Sequence, residues 1–431
     1  MLRSLSFTLL AFLLPAVVSA QTDIFVQGSG KLYPLAVPQL CLQNGETDGT
    51  RVIPDTVAKN LDLSGYFEVL NPSAYIETPG KCNDDDSFAY SDWSVIGAEG
   101  LIRGVIRESG GQVNVRLYLH DVPKQKVVLG KEYEGSVTQL RAIGHKFSNE
   151  VMRFFTGQGG PFGSQIAFSS RVGRFKELFV MDMDGENLRQ LTDERGLAIT
   201  SSWNPMGDSL VYTSYRERIP NLFTIRVFDR STQQVTRGRD LELGGQFTQD
   251  GNRILAAQTT GKQSDIVLLN LDGTLVRKVT NSYGVIDVSP KWSPDYQQIV
   301  FCSNRSGGPQ IYTMNADGSN IKRISFVTSN YCTSPSWSPQ GDRIAFVCRA
   351  DRGFQLFSSR PDGSDALQLT SYGSNEDPEW SPDGRYITFA TTFGRGRTYH
   401  IAIMRNDGSN LRQLSFGRAG EMDPAWGPLP G

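Results

Sequence analysis

Three histidines are all this chain has for imidazole metal ligation or proton shuttling near neutral pH: His120, His145 and His400. They fall in a predicted strand, a predicted helix and a second strand, with no metal-ligand spacing between them, so each reads as structural. No Gly-x-Ser-x-Gly nucleophile elbow is present, and only five residues follow Trp426, which leaves no room here for a hydrolase domain after the last repeat. Asp182-x-Asp184-Gly185 opens like a calcium loop but lacks the later oxygen ligands and the terminal Glu, so it reads as a turn. Asn83-Asp84-Asp85-Asp86 reads as a solvated acidic loop. No catalytic residue, metal or other cofactor is expected, and the surface becomes the place to look for function.

Five cysteines, Cys41, Cys82, Cys302, Cys332 and Cys348, leave at least one thiol unpaired. Cys41 and Cys82 are candidates to pair within the first part of the chain. Cys332 and Cys348 flank a predicted hairpin, where a disulfide and two buried apolar thiols are both open readings. Disulfides are plausible because residues 1–20, MLRSLSFTLLAFLLPAVVSA, read as a secretory signal peptide, with basic Arg3, an apolar run and small residues at Val18 and Ala20. The run is short for a bilayer span, so a protein exported out of the cytoplasm without direct membrane insertion is expected. Losing Arg3 with the signal takes the formal charge from −2 to −3. Acids and bases are interspersed, which gives no electrostatic reason to bind nucleic acid.

The elements that must position any site are written as repeats. Trp203-Asn204-Pro205-Met206-Gly207 recurs as Phe247-Thr248-Gln249-Asp250-Gly251, Trp292-Ser293-Pro294-Asp295, Trp337-Ser338-Pro339-Gln340-Gly341, Trp380-Ser381-Pro382-Asp383-Gly384 and Trp426-Gly427-Pro428. The aromatics are 44, 45, 45, 43 and 46 residues apart. That period signals four-stranded propeller blades or helical pairs. Strands are favoured, because short β-branched and aromatic runs such as Ile299-Val300-Phe301 and Ile387-Thr388-Phe389 follow the first five phrases. Asp-Gly pairs at 184, 272, 317, 362 and 407 add hairpin signals. In this reading the aromatic ends the innermost strand, Pro stops it, and Asp and Gly make the corner. The first blade begins at Gln165 without a Trp strand, and the last phrase has no apolar run after it. The C-terminal strand is therefore expected to pair beside Ile166, completing six blades.

Residues 34–156 differ. Pro54 to Leu63 reads as a helix with Pro in its first turn, ending at Gly65. Thr138 to Phe155 has the spacing of an amphipathic helix, and Leu101–Ile106, Val113–His120 and Lys126–Tyr133 alternate as strands. The expected architecture is a signal peptide (1–20), a flexible partner-binding segment (21–33), a small α/β domain (34–156), a linker (157–164) and a six-bladed β-propeller (165–431).

Two surfaces are candidates for binding. The first is the set of segments just before each aromatic, which differ from blade to blade at one mouth of the channel: Ile199 and Thr200, Leu241, Glu242 and Gly244, Asp287, Asn330 and Tyr331, Asn375 and Glu376, and Glu421 and Met422. The second is Asp23, Ile24, Phe25 and Val26, which read either as a strand added to a partner or as the first strand of the α/β domain.

An exported α/β domain followed by six W-S-P-D-G blades resembles the TolB family of the Tol-Pal envelope system, over essentially the whole mature chain. Ile24-Phe25-Val26 and Tyr33-Pro34-Leu35-Ala36-Val37-Pro38 resemble that family's N-terminal box and first strand. The resemblance implies a monomeric periplasmic adaptor rather than an enzyme. Its propeller mouth would bind the peptidoglycan-associated lipoprotein and its N-terminal segment would bind TolA, serving outer-membrane integrity and constriction at cell division. This chain departs from the pattern at Phe247-Thr248-Gln249. The alternatives from other classes are a propeller enzyme resembling a polysaccharide lyase, which needs a convergent His or acid cluster, and a generic sugar- or cell-wall-binding propeller.

Overall fold

The computed structural model describes residues 31–429 except 46, 77–87, 218, 239–240, 352, 395 and 418–419. The proposed signal peptide and Asp23, Ile24, Phe25 and Val26 lie outside the described residues.

The N-terminal region is an α/β layer. Strands β1 (Tyr33–Ala36), β2 (Cys41–Asn44), β3 (Phe67–Val69), β4 (Gly100–Ser109), β5 (Gln112–Asp121) and β6 (Lys126–Ser136) form one sheet ordered β3-β1-β4-β5-β6, with β2 beside β4. Helices α1 (Gly49–Ser64), α2 (Tyr90–Val95) and α3 (Leu140–Thr156) accompany it. The amphipathic spacing of α3 is explained by its buried stripe of Ile143, Phe147 and Val151.

Helix α1 starts earlier than expected, with Pro54 inside it. Proline cannot donate to the carbonyl four residues back, and that carbonyl, on Thr50, instead accepts from the Leu40 N–H at 2.9 Å. The lost bond is replaced, so the helix continues to its left-handed cap at Gly65. The short α2 was not anticipated; its Trp93 is buried.

Six four-stranded antiparallel sheets follow. Blades I to V have inner strands Ala198–Trp203, Leu241–Phe247, Asp287–Trp292, Cys332–Trp337 and Asn375–Trp380. In blade VI the inner strand Glu421–Trp426 pairs with Gln165–Val172, Trp426 lying opposite Ile166, so this sheet is assembled from both ends of the repeat region. Phe301, Phe346 and Phe389, from the apolar runs after three of the corners, are fully buried. Each such ring contributes roughly 2–3 kcal/mol of apolar burial.

The corner chemistry is local. Around Asp383 the Gly384 N–H donates to the Ser381 carbonyl, the Tyr386 N–H to Ser381 Oγ at 3.0 Å, and the Arg385 N–H to Asp383 Oδ1 at 3.2 Å. Ser and Asp thus take up backbone donors that the turn leaves unpaired. Glycine in the Asp-Gly hairpins has a second cause besides its positive φ. A Cβ on Gly318 would stand 2.1 Å from the Val279 carbonyl of the preceding blade.

The two regions share a core. Leu61, Phe147 and Met152 belong to the same apolar cluster as Ile166, Tyr386 and Ile403. Tyr386 Oη donates to the Ser64 carbonyl, and Arg385 reaches Thr156 Oγ1 and the Gly159 carbonyl. The stretch between the regions is held too, since Phe162 is buried and its carbonyl accepts from Asn149. Arg141 of α3 bonds Asp184 at 2.6 Å and Asp182 at 3.3 Å, so the calcium-like Asp-x-Asp-Gly hairpin serves as a junction between domains.

Candidate functional site

Every inner strand carries a break in register three to four residues before its aromatic, between Ile199 and Ser202, Leu243 and Gly245, Val288 and Lys291, Thr333 and Ser336, Glu376 and Glu379, and Met422 and Ala425. At the break one residue adopts a left-handed backbone: Thr200, Gly244, Ser289, Ser334, Asp377 and Asp423, with φ of 49° to 58°. Short polar residues and glycine tolerate that conformation best. A bulge leaves one residue unpaired and turns the strand, so six repeats place a ring of bulges around the channel.

The segments expected to be loops are therefore mostly strand, and the bulge sorts their side chains. Ile199, Glu376 and Met422 are half-buried, and Asn330 and Tyr331 are exposed. Asp287, Asn375 and Glu421 are 0%, 2% and 3% exposed, so they are not presented to a partner. Each is engaged inside the fold: Asp287 by both carboxylate oxygens with Arg305 at 2.9 Å, Asn375 with Gln355 and the Tyr372 carbonyl at 3.0 Å, and Glu421 with Ser415 and, at 3.3 Å, His400. An expectation that all of the named positions form one exposed face fails for these three, because the side chain two residues before the left-handed position is buried in the blade. Leu241 and Glu242 lie in the blade II inner strand opposite Thr259 and Gln258.

The bulge also brings together two residues that sequence reading passed over. Asp377 accepts from Ser334 Oγ at 2.9 Å, and Asp423 of the next blade accepts from Ser169 Oγ at 2.9 Å. Burial first, and the neighbouring Asp423 carboxylate second, push the Asp377 carboxyl up to about 7. The available signal was the third residue before the aromatic, which is Asp only in Asp377-Pro378-Glu379-Trp380 and Asp423-Pro424-Ala425-Trp426. Beside this pair, Glu376 accepts from Tyr399 Oη. The mouth over blades V and VI is thus acidic, and over blades I to IV uncharged at the bulge.

The remaining chemistry-bearing residues are used structurally. His145 is buried with Nδ1 2.9 Å from Asn60, and burial lowers its pKa. His120 meets Tyr90 Oη at 2.9 Å. Cys332 and Cys348 form a disulfide, and Cys41 is disulfide-bonded as well. Cys302 is a free thiol whose burial raises it to about 11, which suppresses thiolate reactivity. Among the described residues no three His, Cys, Asp or Glu side chains gather in a metal-binding group, and no helix is long and apolar enough to cross a membrane.

Residues 152–430 match the family model of the TolB beta propeller domain, and residues 23–128 match that of the TolB amino-terminal domain. The Tol-Pal system protein TolB of Anaeromyxobacter dehalogenans strain 2CP-C is 35% identical over 281 residues, which is 64% of either chain. The same-named protein of strain 2CP-1 is 35% identical over 294 residues, 67% of either chain. Among solved structures, TolB from Acinetobacter baumannii superposes with a TM-score of 0.79 at 23% identity, covering 92% of this chain and 97% of that one, a likeness of fold. Matched along both its sheet-and-helix region and its propeller, the chain belongs to the TolB family.

Proposed function

We propose that this protein is a periplasmic, non-enzymatic adaptor of the Tol-Pal envelope system. It binds the peptidoglycan-associated lipoprotein at the bulged propeller mouth and TolA through residues 21–33. In this way it links the inner membrane to outer-membrane integrity and to constriction at division. The observation that carries the reading is the inner strand itself. Six copies repeat one corner at one end and diverge at the other, which is how a rigid scaffold displays a recognition face. The relatives named for the Tol-Pal system support the setting.

Contact residues on the mouth are Ile199, Thr200, Gly244, Asn330, Tyr331, Glu376 and Met422, with Asp377 and Asp423 added. Asp287, Asn375 and Glu421 shape the mouth from beneath. For lipoprotein occupancy to govern the N-terminal segment, the lipoprotein must bind its docked and released states with different affinity.

The test is a pair of titrations on the mature protein and a variant lacking residues 21–30. The deletion abolishes TolA binding and leaves lipoprotein binding intact; unchanged TolA affinity would sink the assignment.

A further inference from the structure

The inner strands all run from the bulged mouth to the corner, so chain direction assigns the other connections to one end of the propeller or the other. The strand paired antiparallel to each inner strand returns to the mouth, and the hairpin after it lies there, as does the segment entering the next inner strand. Charge is divided between the two ends. Asp229, Asp250, Asp272, Asp295, Asp317 and Asp362 are exposed in the corners and in the outer hairpins beside them. Hydrogen bonds from Ser and Thr hydroxyls first, and from backbone N–H groups second, hold all six below the ordinary carboxylate range.

The mouth end carries the opposite sign. Arg174, Lys262, Arg349 and Arg397 lie in or beside its hairpins, and Arg195 and Arg237 in the segments that enter blades I and II; all six are exposed. None of them is ion-paired with a described residue, whereas Arg216 and Arg305 at the same end are held by Glu194 and Asp287. Exposed acids among the described residues of these segments are Asp193, Glu217 and Asp351, half as many. Aromatic rings stand among the cations: Tyr283 is 99% and Tyr372 65% exposed, and Phe393 shares a hairpin with Arg397. Folding gains little from rings so placed, and tyrosine beside arginine and lysine is the composition of a surface that meets lipid headgroups.

The ring of cations and the centre it surrounds suit different partners. Glu376, Asp377 and Asp423 make the centre acidic, so an acidic protein seated on the mouth would set its charge against them. A flat anionic surface touches the loops around the centre instead. A soluble polyanion could use the cations but has no use for the rings.

We propose that this face docks on an anionic phospholipid bilayer, the six cations meeting headgroup phosphates and Tyr283 and Tyr372 settling between the headgroups. The aspartates of the opposite end are repelled by the same surface and orient the molecule mouth-first. Neither contact requires the lipoprotein, and vesicles lacking it are sufficient to test them.

The mature protein is sedimented with vesicles of equimolar phosphatidylcholine and phosphatidylglycerol, and with vesicles of phosphatidylcholine alone. It binds the anionic vesicles, is released at about 0.5 M salt, where screening is short-ranged, and does not bind the neutral ones. Lys262→Gln combined with Arg397→Gln weakens binding about twentyfold, from about fivefold per cation, with an unchanged melting profile. Asp272→Asn combined with Asp317→Asn removes as many charges from the far end and changes binding less than about twofold. Absence of binding to the anionic vesicles overturns the proposal, as does equal binding to phosphatidylcholine alone or full-strength binding by the Lys262→Gln, Arg397→Gln variant. Release by poly-glutamate at a lower charge concentration than that of the lipid phosphate assigns the ring to an acidic protein and overturns it as well.

Discussion

At the corner end of each inner strand, an aromatic residue is locked by its neighbour blade and the following Ser and Asp close a turn on themselves. At the mouth end of the same six strands, a bulge interrupts the ladder and the side chains differ: Ile199, Leu243, Val288, Thr333, Glu376 and Met422 at one equivalent level. The corner repeats because its hydrogen bonds are mostly between residues within five positions of one another, as in Ser381 to Tyr386. The mouth is free to vary because the bulge leaves its residue out of the ladder. Local hydrogen bonding is thus concentrated at one end and side-chain variation at the other, along strands only six or seven residues long.

The sharpest way to break this comparison is Trp380→Ala at the corner. It removes a buried indole and its bond to the Ser336 carbonyl, and should cost about 3–5 kcal/mol in denaturant unfolding of the propeller. A loss under about 1 kcal/mol would show that the corners are not where stability resides.

Asp377→Asn, at the mouth, should act in the opposite direction. The folded-state pKa of Asp377 is raised to about 7 from an ordinary 3.8, so between those values the folded protein holds a proton that the unfolded chain has released. The contribution of this carboxyl to stability is then fully present below about pH 4 and is lost as pH rises through about 7. The Asn variant should lack that slope and be the more stable protein above pH 7. Parallel pH–stability curves for the two would refute the assignment.

Replacing Cys332 and Cys348 together with Ala opens a loop of 16 residues and should lower stability by about 2–3 kcal/mol. Because Cys332 follows Asn330 and Tyr331 directly, lipoprotein capture should weaken alongside, and capture at full strength would separate the disulfide from the mouth.

The smallest effect on folding should come from Glu376→Lys. Half-buried at the rim, it should move stability by no more than about 0.5 kcal/mol yet weaken lipoprotein binding about tenfold. Glu421 is the wrong residue for that test, since it is buried against His400 and Ser415. A Glu376→Lys variant that binds normally would remove this side of the mouth from the contact surface.

How much of this was legible depended on how local the cause was. The six corners, the strand after each of the first five and the partnership of Trp426 with Ile166 followed from turn chemistry and from counting strands. The start of α1 was missed because its Pro54 is compensated by Leu40, a residue outside the helix. Asp377 and Asp423 were missed because an Asp-Pro pair reads as a strand stop. Their approach to one another depends on two blades 46 residues apart in sequence.

The amino-acid sequence by itself determined the repeat, the four-stranded blade and the position of each corner, because Trp, Pro, Asp and Gly act on backbone within a few residues of themselves. Only the tertiary structure decided which residues face the channel. One extra residue per bulge exchanges the inward and outward sides of a strand. Asp287, Asn375 and Glu421 were thereby turned into the blades and Glu376 was left half-buried. It also decided which charges meet across blades, Asp377 with Asp423 and Lys291 with Glu379.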